Sequence, residues 1–310
     1  MVVQHNLTAM NSNRMLGLTT ASQAKSTEKL SSGYKINRAA DDAAGLSMSE
    51  KMRRQIRGLT QASSNAQDGI SCVQTAEGAL AEVQDMLQRI NELAVKGENG
   101  TLTTQDRSYV ASEVSQLMQE INRVKETTTF NEQSLLDGTF SKKALQVGAE
   151  SNKDNKISIT IQAMNVSNLA NATFVSKMNA TNTSTALKTA SKVVAKFINF
   201  VNLGSASKVK EPNAITSSNF AALNVWAKAA LQTVSEQRSD LGSIQNRLEH
   251  TINNLNNVVE NTTSAESSIR DTDMATEMVR YSNNNILAQA GQSMLAQANQ
   301  SNQGVMSLLG

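Results

Sequence analysis

Apolar side chains recur at every third or fourth position from Leu59 to Ala94, and this spacing constrains the fold more than any other feature. The stripe consists of Leu59, Ala62, Ala66, Ile70, Val73, Ala76, Leu80, Val83, Leu87, Ile90 and Ala94. Steps of three and four place side chains on one face of an α-helix. The only proline in the chain is Pro212, so no proline interrupts this helix. The sequence predicts one long helix that must bury its stripe against another element.

Two further stripes supply partners for this helix. Gly97 and Asn99–Gly100 are typical of a helix end, and either residue of the pair Thr103–Thr104 can cap a return helix. The return helix carries its apolar face at Val110, Val114, Leu117, Ile121 and Val124. A distant segment repeats the spacing at Leu241, Ile244, Leu248, Ile252, Leu255 and Val259. We therefore predict a mainly α fold, in which residues 59–124 and 225–265 form a long antiparallel, coiled-coil-like bundle.

The middle of the chain, residues 136–219, has a different pattern. Residues 144–147 and 157–161 flank a polar turn, and the second segment alternates apolar and polar side chains, which predicts a small β-hairpin. Asn, Ser and Thr dominate residues 163–183, which favours a loop. The spacing from Leu187 to Val201 favours one short helix. Aromatic residues make up only 3% of the chain, too few to fill a large globular core, so narrow helix seams are the expected packing.

The last thirty residues contain no charged side chain, from Tyr281 to Gly310. An exposed helix of a soluble monomer normally carries charges, whereas this segment combines Gln and Asn with an apolar stripe. The N-terminal stretch also has few charges. We predict that both ends are disordered alone and fold when they pack with copies of the same chain. The predicted self-assembly core consists of Leu7, Met10, Leu30, Ile286, Leu287, Met294, Leu295, Val305, Leu308 and Leu309.

These patterns predict three nested layers. Residues 1–45 and 275–310 form the first layer, and residues 46–135 and 220–274 form the second. Residues 136–219 form a middle region that contains the hairpin.

Composition and motifs favour a structural role without cofactors or metal. The net charge is +2, from 29 basic and 27 acidic residues, which is too balanced for a nucleic-acid partner. No stretch approaches the 18 apolar residues that predict a membrane span. His5 and His250 each lie alone, and no nucleotide-binding, metalloprotease or hydrolase motif is found. Cys72 cannot form an internal disulfide and is predicted to be at least partly buried.

Three polar clusters could hold a site, but each has a simpler structural reading. Asp41–Asp42 are adjacent and diverge by about 100° on a helix, so capping or ion pairing is favoured over an acid–base pair. Asp271, Asp273 and Glu277 lack the spacing and glycine of a calcium loop. The cluster of Arg53, Arg54 and Arg57 is interpreted first as a solvated basic face, with a subunit or receptor contact as the alternative.

Several long segments are similar to one known family. They lie at both ends of the chain and in the family's order, at residues 30–45, 58–63, 65–71, 237–242, 245–247 and 293–300. On these residues the chain resembles bacterial flagellins over about 1–150 and 220–310. The resemblance implies a subunit of the flagellar filament. In such a subunit residues 1–45 and 275–310 would form the two parts of an inner core domain, and residues 46–135 and 220–274 the two parts of a helical rod domain around it. Residues 136–219 would form a short, variable region that faces outward.

The resemblance also implies partners and a location. We expect a homopolymer outside the cell, exported without a cleaved signal peptide by the flagellar type III apparatus, with cap, junction and export chaperone proteins as further partners. No nucleic acid or membrane insertion is expected. The alternative is a hook–filament junction or cap protein of the same export system. A protease-bearing flagellin would carry an HExxH motif, which is absent.

The family's receptor motif falls on one segment of the long helix and on one residue of the return helix. By resemblance, the residues that contact the host Toll-like receptor for flagellin are Gln88, Arg89, Glu92, Leu93 and Glu113. Arg89 and Leu93 are four apart and so share a helical face, and an exposed Arg beside an apolar side chain suits a binding hot spot. The alternative is that this face is a subunit contact in the filament.

Overall fold

The fold is mainly helical, as predicted. A computed structural model describes residues 6–166, 169 and 216–309, with side chains as far as Gln300. Within this part of the chain the long helices are α1 (Leu7–Ser32), α2 (Ala43–Glu98), α3 (Thr104–Thr127), α4 (Ser217–Arg270) and α5 (Met274–Leu309). The strands pair as two antiparallel hairpins, β1 (Thr129–Phe130) with β2 (Gln133–Ser134) and β3 (Lys143–Gln146) with β4 (Lys156–Ile159).

The contacts divide the chain into two compact units. The terminal unit comprises residues 1–57 and 257–310, and the central unit comprises residues 58–256. The predicted limits of the inner core and rod domains, at about 45 and 275, refer to layers of an assembled polymer and stay a prediction. No helix in the described ranges is both long enough and apolar enough to span a membrane.

The predicted stripe of α2 forms the core of the central unit. Every member from Leu59 to Ala94 is buried except Ile70, which is half-buried. Leu241, Leu248 and Leu255 of α4 are also buried, which confirms the predicted pairing of distant segments. Each fully buried Leu, Ile or Val contributes roughly 1.5–3 kcal/mol. This series of contacts therefore carries much of the stability of the central unit.

The turn between α2 and α3 is held by a capping box at Thr103. The Asp106 N–H donates to the Thr103 hydroxyl oxygen at 3.2 Å, and the Thr103 N–H donates to the Asp106 carboxylate at 3.1 Å. The Thr103 hydroxyl also donates to that carboxylate, and this bond is the main reason that the pKa of Asp106 is lowered. Of the two threonines that could cap α3, Thr103 is the one that does so.

The predicted hairpin of the middle region is confirmed and lies against the helices. Gly69 of α2 leaves room for Leu145 of β3, since a Cβ at position 69 would collide with that side chain. The Gln237 amide donates to the Thr160 carbonyl at 3.2 Å and accepts the Gln162 N–H at 3.3 Å. These bonds tie the end of the hairpin to α4. The short helix predicted at 187–201 and most of the loop predicted at 163–183 lie outside the described residues.

The β1–β2 turn has an unfavourable residue at its second central position. Asn131 and Glu132 have φ values of 48° and 62°, as in a type I′ turn. Asn tolerates this left-handed region, but a glutamate there is strained by about 1–2 kcal/mol. We expect Glu132→Gly to raise the free energy of unfolding by about 0.5 kcal/mol, after the added freedom of the unfolded chain is subtracted. Urea denaturation followed by circular dichroism measures this, and Asn131→Gly, which relieves less strain, is the matched control.

The terminal unit contains an antiparallel pair formed by α1 and α5. The Asn6 amide donates to the Ala298 carbonyl at 3.0 Å, and the Asn284 amide donates to the Ser22 hydroxyl oxygen at 3.1 Å. At the other end of the pair, the Thr272 N–H donates to the Gly33 carbonyl at 2.9 Å. Gly33 has a φ of 75° and ends α1 in the left-handed conformation that glycine favours.

Candidate functional site: the terminal helix pair

Small and polar side chains occupy the shielded faces of the α1–α5 pair. The side chains of α1 with reduced exposure are spaced by three or four, at Ala9, Ser12, Leu16, Thr19, Gln23, Ser26 and Leu30. The corresponding face of α5 consists of Glu277, Tyr281, Asn284, Ala288, Gly291, Leu295 and Ala298. We call these two series the polar seam. With three half-buried leucines as its only large aliphatic members, such a seam buries less apolar surface than the stripe of α2, so it contributes less hydrophobic free energy.

Most of the large apolar side chains of the pair lie on the opposite faces, in contact with water. On α1 they are Leu7, at 67% exposure, with Met10, Met15 and Leu18; on α5 they are Ile286, at 61%, with Met278, Val279, Leu287 and Met294. We call this set the exposed apolar face. Apolar patches of this kind mark surfaces that bind other proteins. Small and polar residues thus predominate between the two helices, and most of the large apolar residues lie on the outer faces.

The structure separates the predicted self-assembly residues into three groups. Leu7, Met10, Ile286, Leu287 and Met294 belong to the exposed apolar face. Leu30 and Leu295 are half-buried in the polar seam, so within one chain they already have partners. The last turns of α5 contain Val305, Leu308 and Leu309, and for these residues the structure describes only the backbone.

The acidic residues near the ends of the helices act as caps. The Lys25 ammonium lies 2.9 Å from the Asp41 carboxylate and is the main cause of the lowered pKa of Asp41. The Gly45 N–H donates to Asp42 at 2.9 Å. The Thr276 hydroxyl and two backbone N–H groups donate to Asp273, which lowers its pKa and starts α5. The predicted capping and pairing roles are therefore confirmed for Asp41 and Asp42.

The remaining polar candidates have ordinary environments. Arg53 pairs with Glu50 at 3.1 Å, and Arg54 and Arg57 are exposed, as expected for a solvated face. His250 is exposed and Cys72 is buried, the second as predicted. Within the described ranges, no three His, Cys, Asp or Glu side chains are grouped closely enough to hold a metal ion.

Arg89 forms an ion triplet that bridges α2 and α3. Its guanidinium donates to Glu113 at 2.9 Å and to Glu92 at 3.0 Å, and these two carboxylates, Glu113 first, raise the pKa of Arg89. Gln88 is exposed beside the triplet. Leu93, predicted to share a helical face with Arg89, is only 2% exposed, so it is not accessible in a single chain. Leu93 adjoins the buried stripe at Ala94, and the core covers it.

Sequence comparison decides the family. Residues 3–141 match the model of the bacterial flagellin N-terminal helical region, and residues 226–309 match that of the C-terminal helical region. The chain is 47% identical over 309 residues to a flagellin of Halalkalibacterium halodurans, with all of both chains covered. The chain belongs to the bacterial flagellin family. This flagellin is also 43% identical over 319 residues to the flagellar filament 31.3 kDa core protein of Treponema maltophilum, again with both chains fully covered.

Membership of the family gives the general role of this flagellin. It is a structural subunit that polymerises into the flagellar filament outside the cell, and its family is not an enzyme family. Among solved structures, a putative flagellar hook-associated protein from Vibrio parahaemolyticus has a TM-score of 0.54 at 15% identity. That match covers 74% of the flagellin and 100% of the other chain, and it indicates a shared fold.

Sequence reasoning missed the polar seam. Its signal was present, since the α5 members are spaced by three and four like an apolar stripe. Apolar periodicity alone does not reveal the seam. Ser26 of α1 and Glu277 of α5 are polar, and Gly291 of α5 has no side chain. The exposed apolar face was found, but only the structure shows that it points away from the partner helix.

Proposed function

We propose that the exposed apolar face of the terminal pair holds copies of this flagellin together in the filament. The observation that carries the proposal is that most large apolar side chains of α1 and α5 point away from the partner helix. Burying one large side chain such as Leu287 or Met294 against another copy contributes roughly 1.5–3 kcal/mol. The polar seam offers a smaller gain within one chain, because its large aliphatic side chains, Leu16, Leu30 and Leu295, are only half-buried. The terminal helices therefore gain most of their stability on incorporation, which agrees with disordered ends before assembly.

The central unit has a mechanical role in this proposal. Its buried stripes on α2 and α4 form a stiff rod that transmits torque along the polymer, while residues 136–219 face outward. Assembly takes place outside the cell after export through the flagellar type III apparatus. Cap, junction and chaperone proteins are proposed as further partners on the same grounds of family resemblance.

Helical averaging of native filaments by electron cryomicroscopy tests the proposed interface. We expect Leu7, Ile286 and Met294 to be covered by side chains of neighbouring copies. A reconstruction in which these three side chains face water would contradict the proposal. The same preparation tests the alternative of a junction protein, because a junction protein would be a trace component of purified filaments rather than their main subunit.

We further propose that the face around the Arg89 ion triplet is recognised by the host Toll-like receptor for flagellin. The support is an exposed arginine that is paired with Glu92 and Glu113 and lies beside Gln88, since Arg is frequent in binding hot spots. Leu93 is not proposed as a direct contact, because it is buried.

Substitution of the triplet tests receptor binding. We expect Arg89→Ala to weaken binding of the monomer to the receptor ectodomain by about tenfold or more, as for a hot-spot arginine. Surface plasmon resonance measures this. Arg123→Ala is the matched control, because Arg123 forms a similar exposed ion pair with Glu120 on α3. Equal binding by the wild type and Arg89→Ala, or an equal loss in both variants, would count against the assignment.

A further inference from the structure

The turn between α2 and α3 contains the only Asn-Gly sequence in the chain, Asn99–Gly100. Both residues are exposed and lie outside the helices. We propose that Asn99 is a modification site, at which the side-chain amide cyclises onto the backbone and is hydrolysed to aspartate and isoaspartate. The co-reactant is water, and no enzyme is required.

The geometry of the turn brings the electrophile into position. The Thr101 N–H donates to the Asn99 side-chain carbonyl oxygen at 3.2 Å. This bond folds the side chain back over the Gly100 backbone, as in an Asx-turn. It also draws electron density from the side-chain carbonyl carbon, and it stabilises the negative charge that develops on the oxygen when that carbon is attacked.

The nucleophile is the Gly100 backbone nitrogen, and the turn leaves it accessible. Within the described part of the chain, no other group accepts a hydrogen bond from the Gly100 N–H. A Cβ at Gly100 would meet no atom within 4 Å apart from those of its two neighbours in the chain, so no other part of the chain covers this position. Glycine has no side chain of its own to hinder ring closure.

The reaction balances in two steps. First, the Gly100 nitrogen loses its proton to a water or hydroxide and bonds to the Asn99 Cγ. The bond from Cγ to Nδ2 breaks, the nitrogen leaves as ammonia after taking up a proton, and a five-membered succinimide remains. Second, water adds to one of the two ring carbonyls and opens the ring. Opening at the original backbone carbonyl gives isoaspartate, and opening at Cγ gives aspartate.

A comparable turn at Asp137–Gly138 should not react in this way. The Thr139 N–H donates to the Asp137 carboxylate at 2.8 Å, which resembles the arrangement at Asn99. The Thr139 hydroxyl and this N–H lower the pKa of Asp137, so the group stays an ionised carboxylate, which is a poor electrophile. Asp137 is therefore an internal reference for the selectivity of the reaction at Asn99.

Conversion of Asn99 would alter a turn that Arg107 holds by hydrogen bonds to two backbone carbonyls. The Arg107 guanidinium donates to the Asn99 backbone carbonyl at 3.1 Å and to the Gly97 carbonyl at 3.2 Å. Isoaspartate inserts an extra methylene into the main chain between these bonds. Both products add a negative charge near the C-terminal end of α2, where the helix dipole disfavours it and Arg107 offsets it. The modified turn should thus remain folded but carry a new charge.

Incubation of the purified full-length chain in mildly alkaline buffer, followed by peptide mass mapping, tests the proposal. We expect the mass change of deamidation to arise first in the peptide that contains Asn99, and isoaspartate to be detected there by methyltransferase labelling. Asn99→Gln, which has a side chain one carbon longer, should abolish this early mass change in the peptide. Modification of any other asparagine ahead of Asn99 would overturn the assignment.

Two variants test the roles proposed for Gly100 and for the Thr101 N–H in this reaction. Gly100→Ala adds a methyl group that the turn can accommodate, and it should slow conversion several-fold. Thr101→Pro removes the N–H that binds the side-chain oxygen. Loss of one hydrogen bond of about 1.4 kcal/mol slows a reaction about tenfold. Conversion of Thr101→Pro at the wild-type rate, in a chain with unchanged circular dichroism, would overturn the role of this bond.

Discussion

Removal of residues 281–310 is expected to abolish filament formation and to leave a soluble, partly helical monomer. The deletion removes α5 from Tyr281 onward, and with it Ile286, Leu287 and Met294 of the exposed apolar face. The core of the central unit lies between residues 58 and 256, so its stripes stay buried. Electron microscopy after seeding with filament fragments measures the loss, and circular dichroism with thermal unfolding measures the retained fold.

A milder variant separates the loss of this face from the loss of a whole helix. Ile286→Gln combined with Leu287→Gln keeps the length and the polar seam of α5 but removes two large apolar side chains. We expect this variant to resist polymerisation as the truncated chain does. Gln289→Ala and Gln292→Ala change exposed polar positions of the same helix, and filaments should form normally. Polymers of the truncated chain would show that the terminal pair is not the principal interface.

The helices of the central unit could be predicted from the sequence because one physical effect dominates them. A long amphipathic helix exposes its stripe at a fixed period, and only burial makes that stripe stable. The apolar stripe of α2 could therefore be predicted from the sequence, and so could its distant partner in α4. The aromatic residues Phe220 and Trp226 are also buried, but they precede the regular part of the α4 stripe and gave no periodic signal.

The orientation of side chains in the terminal unit and around Arg89 could not be predicted in the same way. Leu30 and Leu295 share an apolar character with Leu7 and Leu287, yet the first two face the seam and the others face water. Composition does not distinguish them, since their surroundings depend on the rotation of α1 against α5. Leu93 presents the same difficulty, because a position at the edge of a buried stripe is exposed or covered according to the neighbouring helix.

One substitution at two places distinguishes the two roles of leucine in this flagellin. Leu80 is fully buried in the central unit, and Leu287 of α5 is 57% exposed. We expect Leu80→Ala to lower the free energy of unfolding by about 3 kcal/mol, because it leaves a cavity in a packed core. Leu287→Ala should change the stability of the monomer by less than about 0.5 kcal/mol, as for an ordinary surface position.

Polymerisation should respond in the opposite order. Leu287→Ala removes about 1.5 kcal/mol of apolar burial between copies, which raises the critical concentration for assembly about tenfold. Leu80→Ala should assemble at the wild-type concentration at a temperature where it remains folded, because Leu80 contributes no surface to other copies. Urea denaturation and sedimentation of polymer measure the two quantities on the same preparations. Suppose that both variants changed only the free energy of unfolding, or only the critical concentration. Leu80 and Leu287 would then have the same role, and the proposed difference between the buried core and the exposed apolar face would be wrong.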